Sequence, residues 1–191
     1  MENVKYLGVT LGGIGRDIFR EERNNVIQKA QTKALAMNAY IKKSYDITSV
    51  GKTLWKQQAV PGIMFRKQVV TLNKNIKEKL QVIENNVYRG ILGIGPTAPV
   101  ETLRGEVGAS EVESRVAETI LMFVRSTLQG EFEDIKSYMT HDLETGKGRW
   151  AREVKKLEQE FGLGQDELKT ISKKELKDKI KEKDTRKWKK D

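Results

Sequence analysis

Two short segments contain the glycine and lysine pattern of phosphate-binding loops. Residues 51–53, Gly-Lys-Thr, match the end of one such loop, but the full motif needs a glycine at the position of Asp46. The acidic side chain there would repel a phosphate, and the preceding segment is helical rather than a strand. Gly13 and Gly15 follow a β-forming segment, as in dinucleotide loops, but Ile18 occupies the place of the third glycine. Neither segment predicts a nucleotide site.

Residues suited to acid–base, metal or thiol chemistry are sparse. His141 is the only histidine, and its neighbour Asp142 is badly placed in sequence to orient it. The chain has no cysteine and no Asp-Asp pair, and its acidic residues fall mainly on helical stretches at solvent-face spacing. These features exclude disulfide scaffolds and zinc fingers and argue against two-metal catalysis. We expect no catalytic residues, no metal site and no cofactor.

The net charge of +9 is unevenly distributed over the 191 residues. Residues 1–96 carry 16 basic and 7 acidic side chains, residues 97–168 carry 9 and 15, and residues 169–191 carry 11 and 5. A long basic segment is typical of proteins that bind polyanions, although selection for solubility can produce the same excess. No apolar run is long enough to span a membrane, and the first eight residues lack the layout of a signal peptide. We expect an intracellular protein, nuclear or cytoplasmic.

Apolar residues that recur every three or four positions predict a mainly helical chain. Residues 4–11 are rich in β-formers and predict a strand or small hairpin at the N-terminus. Pro61 and Gly62 are expected to end the second helix, and the apolar run 120–124 marks a central one. The predicted helices are residues 16–44, about 46–59, 73–92, a short one after Pro99, 110–128, 149–161 and 173–187.

The fold class expected from this pattern is mainly α, a helical bundle with a small N-terminal β-hairpin or strand and extra helices at the C-terminus. Glycine and proline cluster at 93–99, where the charge changes sign. We therefore expect three regions: 1–96 with the strand and the basic helices, an acidic helical region at 97–145, and a charged helical tail at 146–191.

Four short blocks occur in one order along residues 4–108. They are Lys5-Tyr6-Leu7-Gly8-Val9; Lys52-Thr53-Leu54-Trp55 with Val60-Pro61-Gly62-Ile63; Ile83-Glu84 with Arg89-x-Ile91-Leu92-Gly93; and Ala98-Pro99 with Leu103-Arg104-Gly105-Glu106-x-Gly108. In this order they resemble the region that follows the palm in reverse transcriptases of non-LTR retrotransposons (long interspersed elements). The resemblance fades past about Leu128.

The resemblance implies a place for each block in a polymerase. Lys5, Tyr6, Leu7 and Gly8 would lie at the primer grip, and the helices after them would form a thumb that closes on template–primer duplex. The fingers and palm, with their aromatic-x-Asp-Asp strand, have no counterpart in this sequence. We therefore expect a fragment of an RNA-directed DNA polymerase without catalysis of its own. It would bind RNA–DNA hybrid or duplex, and synthesis would require a palm from another chain.

The basic side chains of the first helices are the candidates for phosphate contacts, which give affinity without reading sequence. They are Lys29, Lys33, Lys52, Lys56, Arg66 and Lys67. Trp55 could stack on a sugar or base, although an aromatic residue at helical spacing is more often part of a core. The tail at 173–187 could bind a polyanion or be a solvated helix with i,i+4 ion pairs.

Other functions fit the same composition. A helical structural or interaction protein could assemble through its acidic and basic segments, and a concentration-dependent oligomer without affinity for hybrid would favour it. An active polymerase is disfavoured by the missing carboxylate pair. The sequence leaves the oligomeric state open.

Overall fold

The computed structural model describes the backbone of residues 4–6, 9–11, 19–43 and 45–188, and the side chains of residues 19–43 and 45–186. The chain is mainly helical, which confirms the expected fold class at that level. Strands β1 (Val4–Tyr6) and β2 (Val9–Leu11) pair in antiparallel register. Residues 7 and 8 between them lie outside the described residues, so the N-terminal hairpin stays a prediction.

The chain divides into two compact units. The first spans Met1–Phe65 and Leu72–Val112, and the second spans Arg66–Thr71 and Glu113–Asp191. This division differs from the three regions expected from charge. In sequence the first unit carries 15 basic and 10 acidic residues, and the second carries 21 and 17, so their net charges are +5 and +4. The acidic middle of the sequence is therefore divided between two basic units.

The first unit is built on the packing of α1 against α4. Its helices are α1 (Arg20–Ile41), α2 (Ile47–Leu54), a π-helical turn (Trp55–Ala59), α3 (Val60–Met64), α4 (Lys74–Leu92) and α5 (Val100–Val107). Each of the two long helices buries one apolar seam, as the periodicity predicts. The buried residues are Val26, Ala30, Met37 and Ile41 of α1 and Ile76, Leu80, Val87, Tyr88 and Ile91 of α4.

Side-chain caps set the starts of α2 and α4. The carboxylate of Asp46 accepts a hydrogen bond from the amide of Ser49 at 2.9 Å, and the side-chain oxygen of Asn73 accepts one from the amide of Ile76 at 2.9 Å. Each bond satisfies an amide that has no partner within its helix. These local signals explain why the two predicted helix starts are confirmed.

The prediction that Pro61 and Gly62 end the second helix is wrong. The helix continues through the π-helical turn, where the amide of Val60 donates to the carbonyl of Trp55. Pro61 then lies in the first turn of α3. Because the helix is continuous here, the missing amide hydrogen of Pro61 removes one backbone bond to the preceding turn, which lies in the π-helical segment.

The second unit surrounds α6. Its helices are α6 (Val112–Leu128), α7 (Glu133–Thr145), α8 (Arg149–Phe161), α9 (Gln165–Thr170) and α10 (Lys173–Trp188). Ile120, Leu121 and Val124 of α6 are completely buried, which agrees with the predicted central position of this helix. Segment 66–71 belongs to this unit, since the indole N–H of Trp150 donates to the carbonyl of Gln68 at 2.7 Å.

The tail helix α10 is packed into the second unit. Leu176 and Ile180 are 0% and 4% exposed, and the hydroxyl of Ser114 donates to the buried carboxylate of Asp184 at 3.0 Å. On its solvent face the helix carries the i,i+4 pair of Glu182 and Arg186, with 2.6 Å between charged atoms. The helix is thus packed on one face and carries an ion pair on the other, and the two interpretations of the tail stay predictions.

Among the described residues, no helix combines the length and the apolar character needed to cross a bilayer.

Candidate nucleic-acid interface

Helix α1 carries a row of lysine and tyrosine side chains on one face. Lys29, Lys33, Ala36 and Tyr40 are separated by four, three and four residues. Lys43 continues the row in the turn after the helix, where its amide donates to the carbonyl of Tyr40 at 3.1 Å. Side chains at this spacing share one helix face, here over a length of about 20 Å. We call these five residues the α1 face.

Two of the three lysines of the α1 face have no acidic partner within the described part of the chain. Lys29 pairs with the buried carboxylate of Glu22 at 3.1 Å and keeps 47% of its side chain exposed. Lys43 is exposed and Lys33 is half-buried, and neither forms an ion pair with a described residue. Their charges are therefore available to an anionic ligand, whereas the charge of Lys29 is already offset in part.

A groove of about 310 Å³ lies beside the α1 face. One wall comes from α1 and the other from α2 and the π-helical turn. The floor is apolar, because Met37 and Ala59 are buried there, and polar groups lie at the rim. The lining residues are Lys33, Ala36, Met37, Tyr40, Leu54, Gln58 and Ala59.

Lys33 spans the groove toward Gly62 of α3. A Cβ atom placed at Gly62 would lie 2.9 Å from Nζ and 3.0 Å from Cε of Lys33. The absence of a side chain at position 62 thus leaves room for the ammonium group. Only the far end of a flexible side chain is involved, so this approach does not constrain the packing of the helices.

Lys52 and Lys56, two predicted phosphate contacts, bind the C-terminal end of α5. The ammonium of Lys52 donates to the carbonyl of Glu106 at 2.7 Å. That of Lys56 donates to the carbonyls of Val107 and Gly108 at 2.6 and 2.9 Å. The last carbonyls of a helix lack partners and carry a partial negative charge, which lysine neutralises. In this structure both charges are therefore engaged within the first unit.

Arg66 and Lys67 belong to the second unit, unlike the other predicted contacts. Lys67 is 1% exposed, so the expectation that it lies on a surface open to phosphates is wrong for this conformation. Arg66 is half-buried and has a left-handed backbone with φ of 67°. Its carbonyl accepts hydrogen bonds from the amides of Val69 and Val70, which form the turn after α3.

The predicted primer-grip residues fall in the least described part of the chain. Lys5 and Tyr6 lie in β1, where only their backbone is described. Leu7 and Gly8 lie outside the described residues. Their assignment to a primer grip stays a prediction.

Trp55 and Glu84 of the resemblance blocks form a buried polar cluster with the nearby Tyr88. The indole N–H of Trp55 donates to Oε1 of Glu84 at 2.9 Å, and the hydroxyl of Tyr88 donates to the same oxygen at 2.7 Å. Trp55 is 1% exposed and Glu84 is 3% exposed. The core interpretation of Trp55 is therefore correct, and the stacking interpretation is not.

The later blocks are also joined to one another by polar contacts. The guanidinium of Arg89 donates to the carbonyl of Ala98 at 3.3 Å, and Lys52 reaches the carbonyl of Glu106. Together with the Trp55–Glu84 bond, these contacts link all three blocks that follow the strand. The residues that carry the resemblance thus serve the architecture of the first unit.

Gly51, the glycine of the Gly-Lys-Thr segment, has a packing role. It is buried in α2, and a Cβ atom there would lie 2.9 Å from Cγ1 of Ile91 and 3.4 Å from Cδ1 of Ile41. Glycine allows α2 to approach α4 closely. This contact accounts for the residue without a phosphate.

A larger groove, of about 610 Å³, lies between α9 and α10 in the second unit. Four carboxylates and one lysine line it, so it repels phosphate. Hydrogen bonds from Ser172 lower the pKa of one of these carboxylates, Glu175, and keep it ionised. The ionisable lining residues are Glu167, Glu175, Asp178, Lys179 and Glu182. In the described part of the chain, no three acidic, histidine or cysteine side chains converge as a metal site would require.

The predicted phosphate contacts did not include Tyr40, Lys43 or Gln58, although Lys43 lies off the apolar seam of α1 as Lys29 and Lys33 do. The spacing of Lys29, Lys33, Tyr40 and Lys43 is visible in the sequence and would have identified the α1 face. The groove and Gln58 depend on how α2 and the π-helical turn lie beside α1, which no local pattern encodes.

Comparison of the chain with protein-family models, curated proteins and solved structures gave no match.

Proposed function

We propose that the chain is a helical nucleic-acid-binding module related to the grip and thumb region of non-LTR retrotransposon reverse transcriptases. It binds template–primer duplex without reading its sequence and has no polymerase activity of its own. The observation that carries the proposal is the α1 face. It places Lys33 and Lys43, which have no acidic partner among the described residues, with Lys29 along about 20 Å of one helix. Duplex DNA presents phosphates along such a length on each strand.

The order of the four resemblance blocks supports the same function. The blocks place the basic helices after a grip-like strand, where a thumb would follow. The absence of an Asp-Asp pair from the sequence supports binding rather than catalysis. The proposal does not require phosphate contacts from Lys52, Lys56 or Lys67, because the α1 face supplies a basic surface without them. Lys52 and Lys56 bind carbonyl groups at the end of α5, and Lys67 is buried.

Salt-dependent titration tests the proposal. An RNA–DNA hybrid and a DNA duplex of the same length are titrated with the full chain at several salt concentrations, with fluorescence anisotropy as readout. Each phosphate contact on duplex DNA contributes about −0.9 to the slope of log affinity against log salt. The double variant Lys33→Gln/Lys43→Gln should make the slope less negative by about 1.8.

The matched control is Lys74→Gln/Lys79→Gln. It removes the same charge from the same unit, at exposed positions of α4 that do not line the groove. The control should retain most of the slope. If both double variants lose the same amount of the salt slope, binding depends on net charge and not on the α1 face. No binding of either nucleic acid at low salt would overturn the proposal.

A second candidate function is assembly through α7. Phe132, Ile135 and Tyr138, at spacing i, i+3 and i+6, are 75%, 55% and 79% exposed. Acidic residues accompany them on this helix and just before it: Glu131, Glu133, Asp134, Asp142 and Glu144. Such an apolar surface favours a protein partner. Light scattering of the chain and of Ile135→Asp/Tyr138→Asp distinguishes the candidates, since only assembly predicts an oligomer that the variant dissociates.

A further inference from the structure

We propose that the groove beside the α1 face holds an unstacked nucleobase from a single strand adjoining the duplex, stacked on Tyr40 and with its phosphate held by Lys33. This inference rests on the proposed function and names the part of the nucleic acid that the groove recognises. The site shares Lys33 with the α1 face and adds to it a base-stacking contact on Tyr40.

The groove has the composition of a site for a flat, partly apolar ligand. Small-molecule sites are typically concave, of about 300–1,000 Å³, and mostly apolar with a few polar groups that set orientation. The volume of about 310 Å³ lies at the lower end of that range. Met37 and Ala59 form an apolar floor, while Lys33 and Gln58 provide polar groups.

Tyr40 supplies an aromatic surface at the rim. Its side chain is 64% exposed, and it has no hydrogen-bonding or ring partner among the described residues. Base stacking on aromatic side chains is the common means by which proteins hold single strands, and it tolerates any base. The amide of Gln58 could donate to or accept from a base edge.

The charges around the groove select a nucleotide over an apolar peptide. Lys33 lies within the groove, and Lys29 and Lys43 lie at the two ends of the α1 face. A strand that passes along this face would meet an ammonium group before and after the base. The ammonium group of Lys33 lies beside Gly62, 2.9 Å from where a Cβ atom would be.

The π-helical turn forms part of the groove wall. Such turns are frequent at functional sites. Here the turn spans Trp55–Ala59 and contributes Gln58 and Ala59 to the lining. A base stacked in a duplex cannot enter, so the site requires a single-stranded nucleotide.

Three hybrids of identical duplex length test this inference by anisotropy. One has blunt ends, the second has a five-nucleotide overhang, and the third has an abasic overhang with the same phosphates. The base-bearing overhang should bind about tenfold more tightly than the abasic one, which is the size expected of one stacking contact. Tyr40→Ala should remove that difference and Tyr40→Phe should retain it.

Two further variants locate the site. Ala36→Leu places bulk at an exposed helical position that lines the groove, and should abolish the advantage of the base-bearing overhang. Tyr45→Ala removes a fully exposed tyrosine that does not line the groove, and should preserve it.

Each outcome distinguishes the inference from the function beneath it. Equal affinities for the base-bearing and abasic overhangs, with salt-dependent binding of the blunt hybrid, overturn the inference and leave the proposed function in place. An advantage that survives Tyr40→Ala or is lost with Tyr45→Ala overturns the assignment to this groove. No binding of any hybrid overturns both proposals.

Discussion

The indole N–H of Trp55 donates a hydrogen bond of 2.9 Å to the buried carboxylate of Glu84, which joins the start of the π-helical turn to the middle of α4. Both residues belong to the blocks through which the sequence resembles a polymerase thumb. Tyr88, one turn further along α4, donates to the same oxygen. An acidic side chain that is 3% exposed is expensive to bury without such donors, so the cluster depends on all three residues.

Glu84→Ala should lower the free energy of unfolding by about 3 kcal/mol. It leaves two buried donors without their acceptor, and each unsatisfied group costs about 1–3 kcal/mol. Urea unfolding followed by circular dichroism measures the change. Glu78→Ala, at a 61% exposed position of the same helix, is the control and should cost less than about 1 kcal/mol. Similar losses in the two variants would contradict a special role for the cluster.

Two helical glycines should respond in opposite directions to alanine. Gly51→Ala should destabilise the protein by about 1–3 kcal/mol, because the new Cβ meets the branched side chain of Ile91 at 2.9 Å. Gly62→Ala should be neutral or stabilising by up to about 1 kcal/mol, since it meets only the mobile end of Lys33 and alanine favours a helix. Thermal unfolding of the two variants checks the contrast, and a stable Gly51→Ala protein would refute the close packing of α2 on α4.

Lys56→Met should lower stability by about 1 kcal/mol, because it removes the cation that binds the last carbonyls of α5. Lys43→Met removes an exposed lysine that pairs with no described acidic residue, and should change stability by less than about 0.5 kcal/mol. The measurement is chemical denaturation at low ionic strength. In hybrid titrations the ranking should reverse, with Lys43→Met the more damaging; a Lys56→Met protein of unchanged stability but lost binding would restore this residue as a phosphate contact.

Glu158→Gln should stabilise the protein at neutral pH, and the gain should vanish in acid. Burial raises the pKa of Glu158 above its ordinary value of 4.5, partly opposed by the charge of Lys155, and its Oε1 atom has no hydrogen-bond partner in the described structure. The folded state therefore favours the protonated form. The protonated carboxyl group of Glu158 therefore stabilises the fold below its ordinary pKa. This contribution is lost as the pH rises through the raised pKa of the folded state.

Asp166→Asn provides the contrasting pH dependence. The hydrogen bond and charge of Lys169 lower the pKa of Asp166, so the ionised form stabilises the fold above the ordinary pKa, and this contribution is lost as pH falls through the lowered one. The variant should thus be less stable than the parent at neutral pH and equal to it in acid. Unfolding curves at a series of pH values measure both variants, and parallel profiles would contradict the two assignments.

Helices with several apolar anchors were predictable, as was α10, whose lysine- and glutamate-rich sequence favours a helix although only Leu176 and Ile180 anchor it. The predicted helix 149–161 coincides with α8, and that at 73–92 differs from α4 by one residue. By contrast α7 and α9 were missed. Their buried residues are only Met139 and Leu143 in one and Leu168 in the other, too few to reveal a period. Exposed apolar residues on α7 further obscure the pattern.

The candidate site was predictable only in part. Lys29 and Lys33 were identified from sequence, since they lie off the apolar seam of α1. Lys52 and Lys56 have the same solvent-facing spacing, yet the end of α5, about fifty residues away in sequence, engages them. The spacing of residues along a helix indicates that a lysine lies outside the core. It does not indicate which carbonyl groups of another helix lie within reach of that lysine.

The sequence by itself determined the helical class, the main helix bounds and the row of basic residues on α1, because periodicity, caps and helix spacing act over a few neighbouring residues. Tertiary structure decided which lysines stay available, how the acidic middle is divided between units, and where a groove opens beside Tyr40. These outcomes depend on contacts between residues far apart in the chain, whose energies arise only when the helices have packed.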